Sequence, residues 1–179
     1  LTSDQDPLGT FLAENPDDML EAQAAIAGPL LSSQAALIVN NRTGEVLYQK
    51  NMHRVMPIAS ISKLMSAMVV LDARLNMNEV ITITEDEIDR LKGTGSRLSV
   101  GTQLTRAQLL HLSLMSSENR ATHALGRTYP GGMSAFVAAM NAKAQSLGMT
   151  NSRFYEPTGL DYRNVSTAWD LNKLAAAAS

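Results

Sequence analysis

The chain contains no cysteine in 179 residues, which excludes disulfide bonds and catalysis by a thiolate. Aromatic side chains are also scarce, at 4%, whereas there are 10 methionines, and this balance indicates an adaptable core more than a cofactor pocket. No hydrophobic run approaches the roughly 18–20 residues that cross a membrane, since the most apolar segment, 58–71, contains serines and a lysine. No signal peptide is visible at Leu1, so we expect that any export signal has been removed or never existed.

Basic residues are missing from the first part of the chain. Six of the 17 Asp and Glu residues lie before position 22 without a Lys or Arg among them, which leaves 15 basic against 11 acidic residues in the remainder. We therefore divide the chain into an acidic, partly helical leader at 1–33 and a body at 34–179. A mildly basic body suits an anionic polymer as substrate, and a solvated surface explains it equally well. There is no Walker loop or dinucleotide fingerprint, and we expect no nucleic-acid partner.

The order of predicted elements indicates an α+β fold. Strand-like segments at 35–40 and 45–50 flank the turn Asn41-Arg42-Thr43-Gly44, which predicts a hairpin. A β-like run at 80–84 is followed by a charged turn or short helix at 85–91 and a flexible loop at 92–96. Periodicity and capping signals predict helices at 58–73, 106–115, 118–127, 134–147 and, capped by Ser166 or Thr167, from 168 onward. The helix at 106–115 is preceded by a capping-box pair, Thr105 and Gln108. Because an isolated hairpin is marginally stable, this pattern is typical of the front part of a larger α+β domain.

Ser60 and Lys63 form the one Ser-x-x-Lys in the sequence, at the start of the predicted apolar helix. Residues at i and i+3 are neighbours on a helix surface. A desolvated lysine loses its proton more easily and can then take one from a serine hydroxyl. The spacing alone is also met by solvated lysines in many proteins, but Lys63 lies in a helix that is apolar almost all round. This pattern favours Ser60 as a nucleophile and Lys63 as its base.

A second candidate motif is Ser117-Glu118-Asn119, the one Ser-x-Asn in the sequence, 57 residues after Ser60. It lies in a polar break between two helical segments, where its side chains could reach a cleft. The Ser117 hydroxyl could relay a proton from Lys63 to a leaving group, and the Asn119 amide could hold a substrate carbonyl. The alternative interpretation is an ordinary helix N-cap at Ser116 or Ser117.

The sequence offers little support for a metal site or for a Ser-His-Asp triad. The three histidines, His53, His111 and His123, have neither an HExxH arrangement nor acidic neighbours at metal-ligand spacing. No Gly-x-Ser-x-Gly elbow accompanies a histidine, which makes a Ser-His-Asp hydrolase a poor explanation. We therefore expect neither a metal nor an organic cofactor.

The two motifs together resemble those of the serine D-alanyl-D-alanine peptidases, the low-molecular-mass penicillin-binding proteins, and the similarity extends over nearly the whole chain after residue 34. The segments that carry it are 36–40, 45–48, Pro57-Ile58-Ala59-Ser60-Ile61-Ser62-Lys63-Leu64-Met65, Met115-Ser116-Ser117-Glu118-Asn119-Arg120-Ala121 and Phe154-Tyr155-Glu156-Pro157-Thr158-Gly159-Leu160. Lys92-Gly93-Thr94-Gly95-Ser96-Arg97-Leu98 and Ser117-Glu118-Asn119 look more like the endopeptidase branch, the penicillin-binding protein 7 type.

The resemblance implies a β-lactamase/transpeptidase-like fold, an antiparallel sheet flanked by helices plus a helical subdomain, of which this chain would be an N-terminal portion. It also implies an exported, periplasmic hydrolase that acts on peptidoglycan stem peptides and cross-links and is acylated by β-lactams. In such a family Ser60 would be the nucleophile, Lys63 the base, Ser117 a proton relay and Asn119 a substrate-binding residue.

One departure from the family pattern is the absence of a Lys-Thr-Gly motif, since Lys92-Gly93-Thr94-Gly95 has these letters in the wrong order and place. We expect a C-terminal remainder of the enzyme to supply that motif, and the activity of these 179 residues by themselves stays open. Two alternatives remain. A serine β-lactamase of similar fold would need a carboxylate beside Ser60, for which Glu156 is the one plausible candidate. A catalytically silent module would bind peptidoglycan without cleaving it.

Overall fold

The computed structural model describes residues 33–89 and 96–179. The predicted leader at 1–33, apart from Ser33, and the predicted loop at 92–96, apart from Ser96, lie outside the described residues. The chain divides into two compact units, Leu1–Met52 and His53–Ser179.

The described residues combine short strands with longer helices. The strands are β1 (Ala36–Val39), β2 (Val46–Lys50), β3 (Met56–Pro57), β4 (Val80–Thr82), β5 (Gln103–Thr105) and β6 (Val165–Ser166). The helices are α1 (Ser62–Asp72), α2 (Asp86–Asp89), α3 (Arg106–Met115), α4 (Asn119–Arg127), α5 (Gly132–Ser146) and α6 (Ala168–Ala177), and a 3-10 helix, Ala59–Ile61, precedes α1. The strands form three antiparallel pairs, β1 with β2, β3 with β6 and β4 with β5. No helix in the described part of the chain is long and apolar enough to cross a membrane.

The first unit contains the predicted hairpin. Strand β1 pairs with β2 in the register that places Ala36 opposite Lys50. In the turn, the Asn40 side chain accepts hydrogen bonds from the backbone N–H groups of Arg42 and Thr43, and Gly44 has a φ of +75°. A positive φ suits glycine because it has no Cβ. The prediction of a hairpin at this position is therefore confirmed.

The apolar helix predicted at 58–73 begins later than expected. Its first residues form the separate 3-10 helix, and the α-helix proper starts at Ser62. Ala59 has a φ of +47°, which is incompatible with a right-handed helix and explains the break. Ser60 therefore lies in the 3-10 turn before α1, and the prediction that it lies in the first turn of the α-helix was wrong.

The other helices follow their local capping signals. Thr105 and Gln108 form the predicted capping box at the start of α3, and the Thr167 side chain caps α6. Helix α5 begins two residues earlier than predicted and ends before Gly148, which has a φ of +74°. Strands β3, β5 and β6 were not predicted, since strands of two or three residues are too short to show a period.

Helix α1 lies at the centre of the second unit and contacts α3, α4 and α5. It is buried on nearly all sides, as its composition predicted. Around it lies the hydrophobic core, whose largest fully buried members include Met65, Leu109, Leu125, Phe136 and Met140. The residue on which the proposed chemistry depends, Lys63, thus lies in a helix that is buried on nearly all sides.

A buried carboxylate, Glu87, joins α2 to α4. Its oxygens accept hydrogen bonds from Arg127 Nε at 2.6 Å and from the Thr84 backbone N–H and hydroxyl, and His123 Nδ1 lies 3.6 Å away. Burial by itself would raise the pKa of the Glu87 carboxyl, but these contacts outweigh burial and lower the pKa to about 2.

Replacing Glu87 with glutamine is expected to lower the free energy of unfolding by roughly 3 kcal/mol at pH 7, because the folded-state pKa lies below the usual value of 4.5. A depressed carboxyl pKa stabilises the folded state above the unfolded pKa, so the difference between the two proteins should shrink as the pH falls from 4.5 towards 2. Urea unfolding at several pH values measures both effects. A difference that stays constant with pH would contradict this account of Glu87.

Candidate active site

Lys63 and the second motif meet in the folded chain. The Lys63 side chain is only 5% exposed, and its Nζ donates hydrogen bonds to Ser117 Oγ at 2.8 Å and to the Ser117 backbone oxygen at 3.0 Å. The two residues are 54 positions apart, so this contact results from the packing of α1 beside the α3–α4 connection. A lysine amine and a serine hydroxyl at this distance can exchange a proton directly.

The surroundings of Lys63 favour its neutral form. Burial lowers the pKa of the Lys63 ammonium below its usual value of 10.5, and the negative charges of Glu156 and Glu118 oppose this shift in part. A lysine with a lowered pKa has a larger neutral fraction near pH 7 than a solvated lysine. It is therefore better suited to act as a general base.

Ser60 is exposed at the surface, three residues before Lys63 and outside the α-helix. The residue before it, Ala59, and the second-motif serine, Ser117, both have a left-handed backbone, with φ values of +47° and +50°. Such conformations cost about 1–3 kcal/mol in residues other than glycine and are concentrated at functional sites. Of the four such non-glycine residues that the structure describes, two therefore fall on the segments that the motifs selected, and the other two, Asn51 and Arg74, lie outside them.

Asn119 is the first residue of α4, two positions after Ser117. Its Oδ1 is buried and has no hydrogen-bond partner among the described residues. A buried acceptor without a partner is costly, so an incoming donor would be bound favourably there.

A polar contact that the sequence analysis missed connects the 154–160 segment to the beginning of α1. Asn164 is fully buried, and its Nδ2 donates to Ser62 Oγ at 3.0 Å and to the Glu156 backbone oxygen at 2.8 Å. The Asn164 Oδ1 accepts from the backbone N–H of Tyr155. One asparagine thus holds the segment against the residue two positions after Ser60. No sequence signal distinguishes it, because asparagine is common in loops.

The same segment makes two further contacts with the residues around Ser60. Ser66 Oγ, one turn into α1, donates to the Pro157 backbone oxygen at 2.7 Å. A Cβ added at Gly159 would lie 1.7 Å from the Ala59 backbone oxygen, so the two backbones are in direct contact. The segment therefore sets the position of the 3-10 turn that carries Ser60.

Replacing Gly159 with alanine is expected to destabilise the protein by about 3 kcal/mol or more and to displace the 3-10 turn, since Gly159 has a φ of +86° and no space for a Cβ. Gly101 provides a matched control, because it has a φ of +88° and nothing within 4 Å of the added Cβ. Gly101→Ala should destabilise the protein by only about 1–2 kcal/mol, which is the cost of placing alanine in a left-handed backbone conformation. Urea unfolding of both variants measures the difference, and equal costs would contradict the role assigned to the Gly159–Ala59 contact.

Glu156 is held by its own loop. One carboxylate oxygen accepts from the Thr158 backbone N–H and hydroxyl, and the other from the backbone N–H groups of Gly159 and Asp161. A carboxylate with both oxygens occupied is poorly placed to activate a water molecule. This arrangement argues against the role that a β-lactamase would require of Glu156.

The part of the chain that the structure describes contains no group of three or more His, Asp or Glu residues arranged to hold a metal ion. Of the candidate residues, the structure brings Lys63 and Ser117 into contact, places Asn119 two residues further on, and places Ser60 in the strained turn before α1.

The sequence and the fold are both similar to known proteins. A D-alanyl-D-alanine endopeptidase of Pseudomonas aeruginosa is 54% identical over 82% of this chain and 47% of its own length. One from Escherichia coli K12 is 51% identical over 87% of this chain and 50% of its own length. Among solved structures, the Streptomyces K15 DD-transpeptidase has a TM-score of 0.77 at 30% identity, covering 84% of this chain and 62% of that one.

These comparisons confirm the β-lactamase/transpeptidase-like fold class. The chain spans about half the length of the curated relatives it matches. The family model for the D-alanyl-D-alanine carboxypeptidases, peptidase family S11, matches residues 22–179. The chain therefore belongs to the S11 family of D-alanyl-D-alanine peptidases.

Proposed function

We propose that this chain carries the acylation centre of a periplasmic serine D,D-peptidase that cleaves D-alanyl bonds in peptidoglycan, and that β-lactams acylate it. The observation that carries the proposal is the hydrogen bond between the buried Lys63 amine and Ser117 Oγ. It joins the two motifs on which the interpretation of the sequence depends. The endopeptidase relatives support cross-links as the substrate.

In the proposed reaction, neutral Lys63 removes the proton from Ser60 Oγ as this oxygen attacks the carbonyl carbon of a D-alanyl residue. The new C–O bond forms as the C–N bond of the scissile amide breaks. The proton passes from the Lys63 ammonium through Ser117 Oγ to the leaving amine. Water then hydrolyses the ester on Ser60 and releases the D-alanyl product. Asn119 holds a polar group of the substrate backbone next to Ser117.

The test is to incubate the full-length protein with a fluorescent penicillin and to map the adduct by mass spectrometry. One penicillin per protein, on the peptide that contains Ser60, is the expected result. No adduct, or an adduct on another residue, would overturn the proposal.

The same experiment separates the two alternatives. A serine β-lactamase would release the acyl group quickly and turn over nitrocefin rapidly, whereas the occupied oxygens of Glu156 support a long-lived adduct. A silent peptidoglycan-binding module would bind cell-wall peptides reversibly without any covalent adduct.

A further inference from the structure

A cavity of about 730 Å³ adjoins the second motif. Two of its lining residues, Ser116 and Glu118, are the immediate neighbours of Ser117. The other lining residues come from the 96–98 segment and from α3: Ser96, Arg97, Leu98 and Leu112. If the bond to be cleaved lies near Ser117, the part of the substrate next to that bond would therefore occupy this cavity.

The 96–98 segment is attached to the start of α4 on both sides of Arg97. Ser96 Oγ donates to Glu118 Oε1 at 2.6 Å and accepts from the Leu98 backbone N–H at 3.0 Å. Arg120 donates from its guanidinium to the Leu98 backbone oxygen. Because the residues on both sides of Arg97 are held by hydrogen bonds, the Arg97 backbone has a defined position at the cavity wall.

The two charged residues that line the cavity, Glu118 and Arg97, differ in whether they already make hydrogen bonds. Glu118 Oε1 already accepts from Ser96 Oγ and from the Arg120 backbone N–H. Arg97 is exposed and makes no hydrogen bond or ion pair with another residue in 33–89 or 96–179. A guanidinium binds a carboxylate through two parallel N–H···O hydrogen bonds, a geometry that few other groups match.

We propose that Arg97 is a specificity-determining residue that binds a carboxylate carried by the peptide substrate beside the bond being cut. This inference rests on the proposed function and names a feature of its substrate: a side-chain carboxylate on the peptide, distinct from the carbonyl that Ser60 attacks. Ser96 and Arg120 act as positioning residues, because they hold the backbone on either side of Arg97.

The experiment compares two synthetic cross-linked peptides, identical except that one carries a carboxamide in place of the side-chain carboxylate. The full-length wild-type protein should cleave the carboxylate peptide with a kcat/KM about tenfold higher or more, as expected for a charged hydrogen bond. Arg97→Ala should abolish this preference, Arg97→Lys should retain part of it, and Ser96→Ala should weaken it. Arg153, an exposed arginine that lines a separate cavity, provides the control, and Arg153→Ala should keep the full preference.

Penicillin labelling is measured in parallel, and labelling of Arg97→Ala on Ser60 would show that its acylation centre is intact. A preference that survives in Arg97→Ala, or that is absent from the wild-type protein, would overturn the inference. If Arg97→Ala loses both penicillin labelling and peptide cleavage, Arg97 has a structural role, and this result would also overturn the inference. Absence of labelling in the wild-type protein would instead mean that the proposed function itself has failed.

Discussion

Replacing Ser60 with alanine is expected to abolish covalent labelling of the full-length protein by a fluorescent penicillin. The alanine side chain has no oxygen to form the acyl bond, and the Ser117 hydroxyl is held in a hydrogen bond with Lys63 Nζ. Ser60 is exposed and lies outside α1, so its hydroxyl can be removed without creating a cavity in the core.

Ser134, an exposed serine on α5, provides the matched control for this substitution, and Ser134→Ala should label like the wild-type protein. Intact-mass measurement and a thermal unfolding curve for each variant separate loss of chemistry from loss of folding. Stoichiometric labelling of a folded Ser60→Ala protein would identify another nucleophile and would remove the basis of the proposed mechanism.

Replacing Lys63 with methionine is expected to reduce the rate of acylation by about 10³-fold, within the range that removal of a general base usually produces. Methionine is close to lysine in length and is compatible with the buried position, but it cannot accept the proton of Ser60 Oγ. Stopped-flow or gel-based labelling rates measure the effect. Lys143, which forms an ion pair with Asp72 at 2.7 Å, provides the control, since Lys143→Met should acylate at the wild-type rate.

The same variant tests whether burial disfavours the charged form of Lys63. Because burial lowers the folded-state pKa of Lys63, the charged ammonium destabilises the folded protein at low pH, and this cost disappears as the pH rises towards the usual value of 10.5. Lys63→Met removes the cost, so its stability relative to the wild-type protein should be highest in acid and should decline as the pH rises. A Lys63→Met protein whose relative stability does not change with pH, or one that acylates normally, would contradict the assignment of Lys63 as a buried base.

Features that depend on neighbouring residues could be predicted from the sequence. The Asn41-Arg42-Thr43-Gly44 turn predicted the hairpin, and the Thr105–Gln108 pair predicted the start of α3 at the observed residue. The two motifs also directed attention to Lys63 and Ser117, which the structure brings into contact. Such signals are readable because capping and turn preferences operate within four residues.

Features that depend on backbone strain or on hydrogen bonds between residues far apart in sequence could not be predicted. The left-handed conformation of Ala59 moved Ser60 from the α-helix into a 3-10 turn, and alanine gives no sign of such a conformation. The role of Asn164 could not be foreseen either, since its partner Ser62 is 102 residues away in sequence. Ser96 and Glu118 belong to separate sequence motifs, and only the folded chain shows the hydrogen bond between them.

The amino-acid sequence by itself determined the family, the hairpin, the order of the longer helices and the choice of Ser60 and Lys63 as candidate nucleophile and base, because each of these depends on local patterns and motif spacing. The tertiary structure alone decided that the Lys63 amine is shielded from water and directed at Ser117, and that the 154–160 segment supports the turn carrying Ser60. Burial and hydrogen bonding between distant segments are properties of packing, and the lowered pKa of Lys63 follows from its burial.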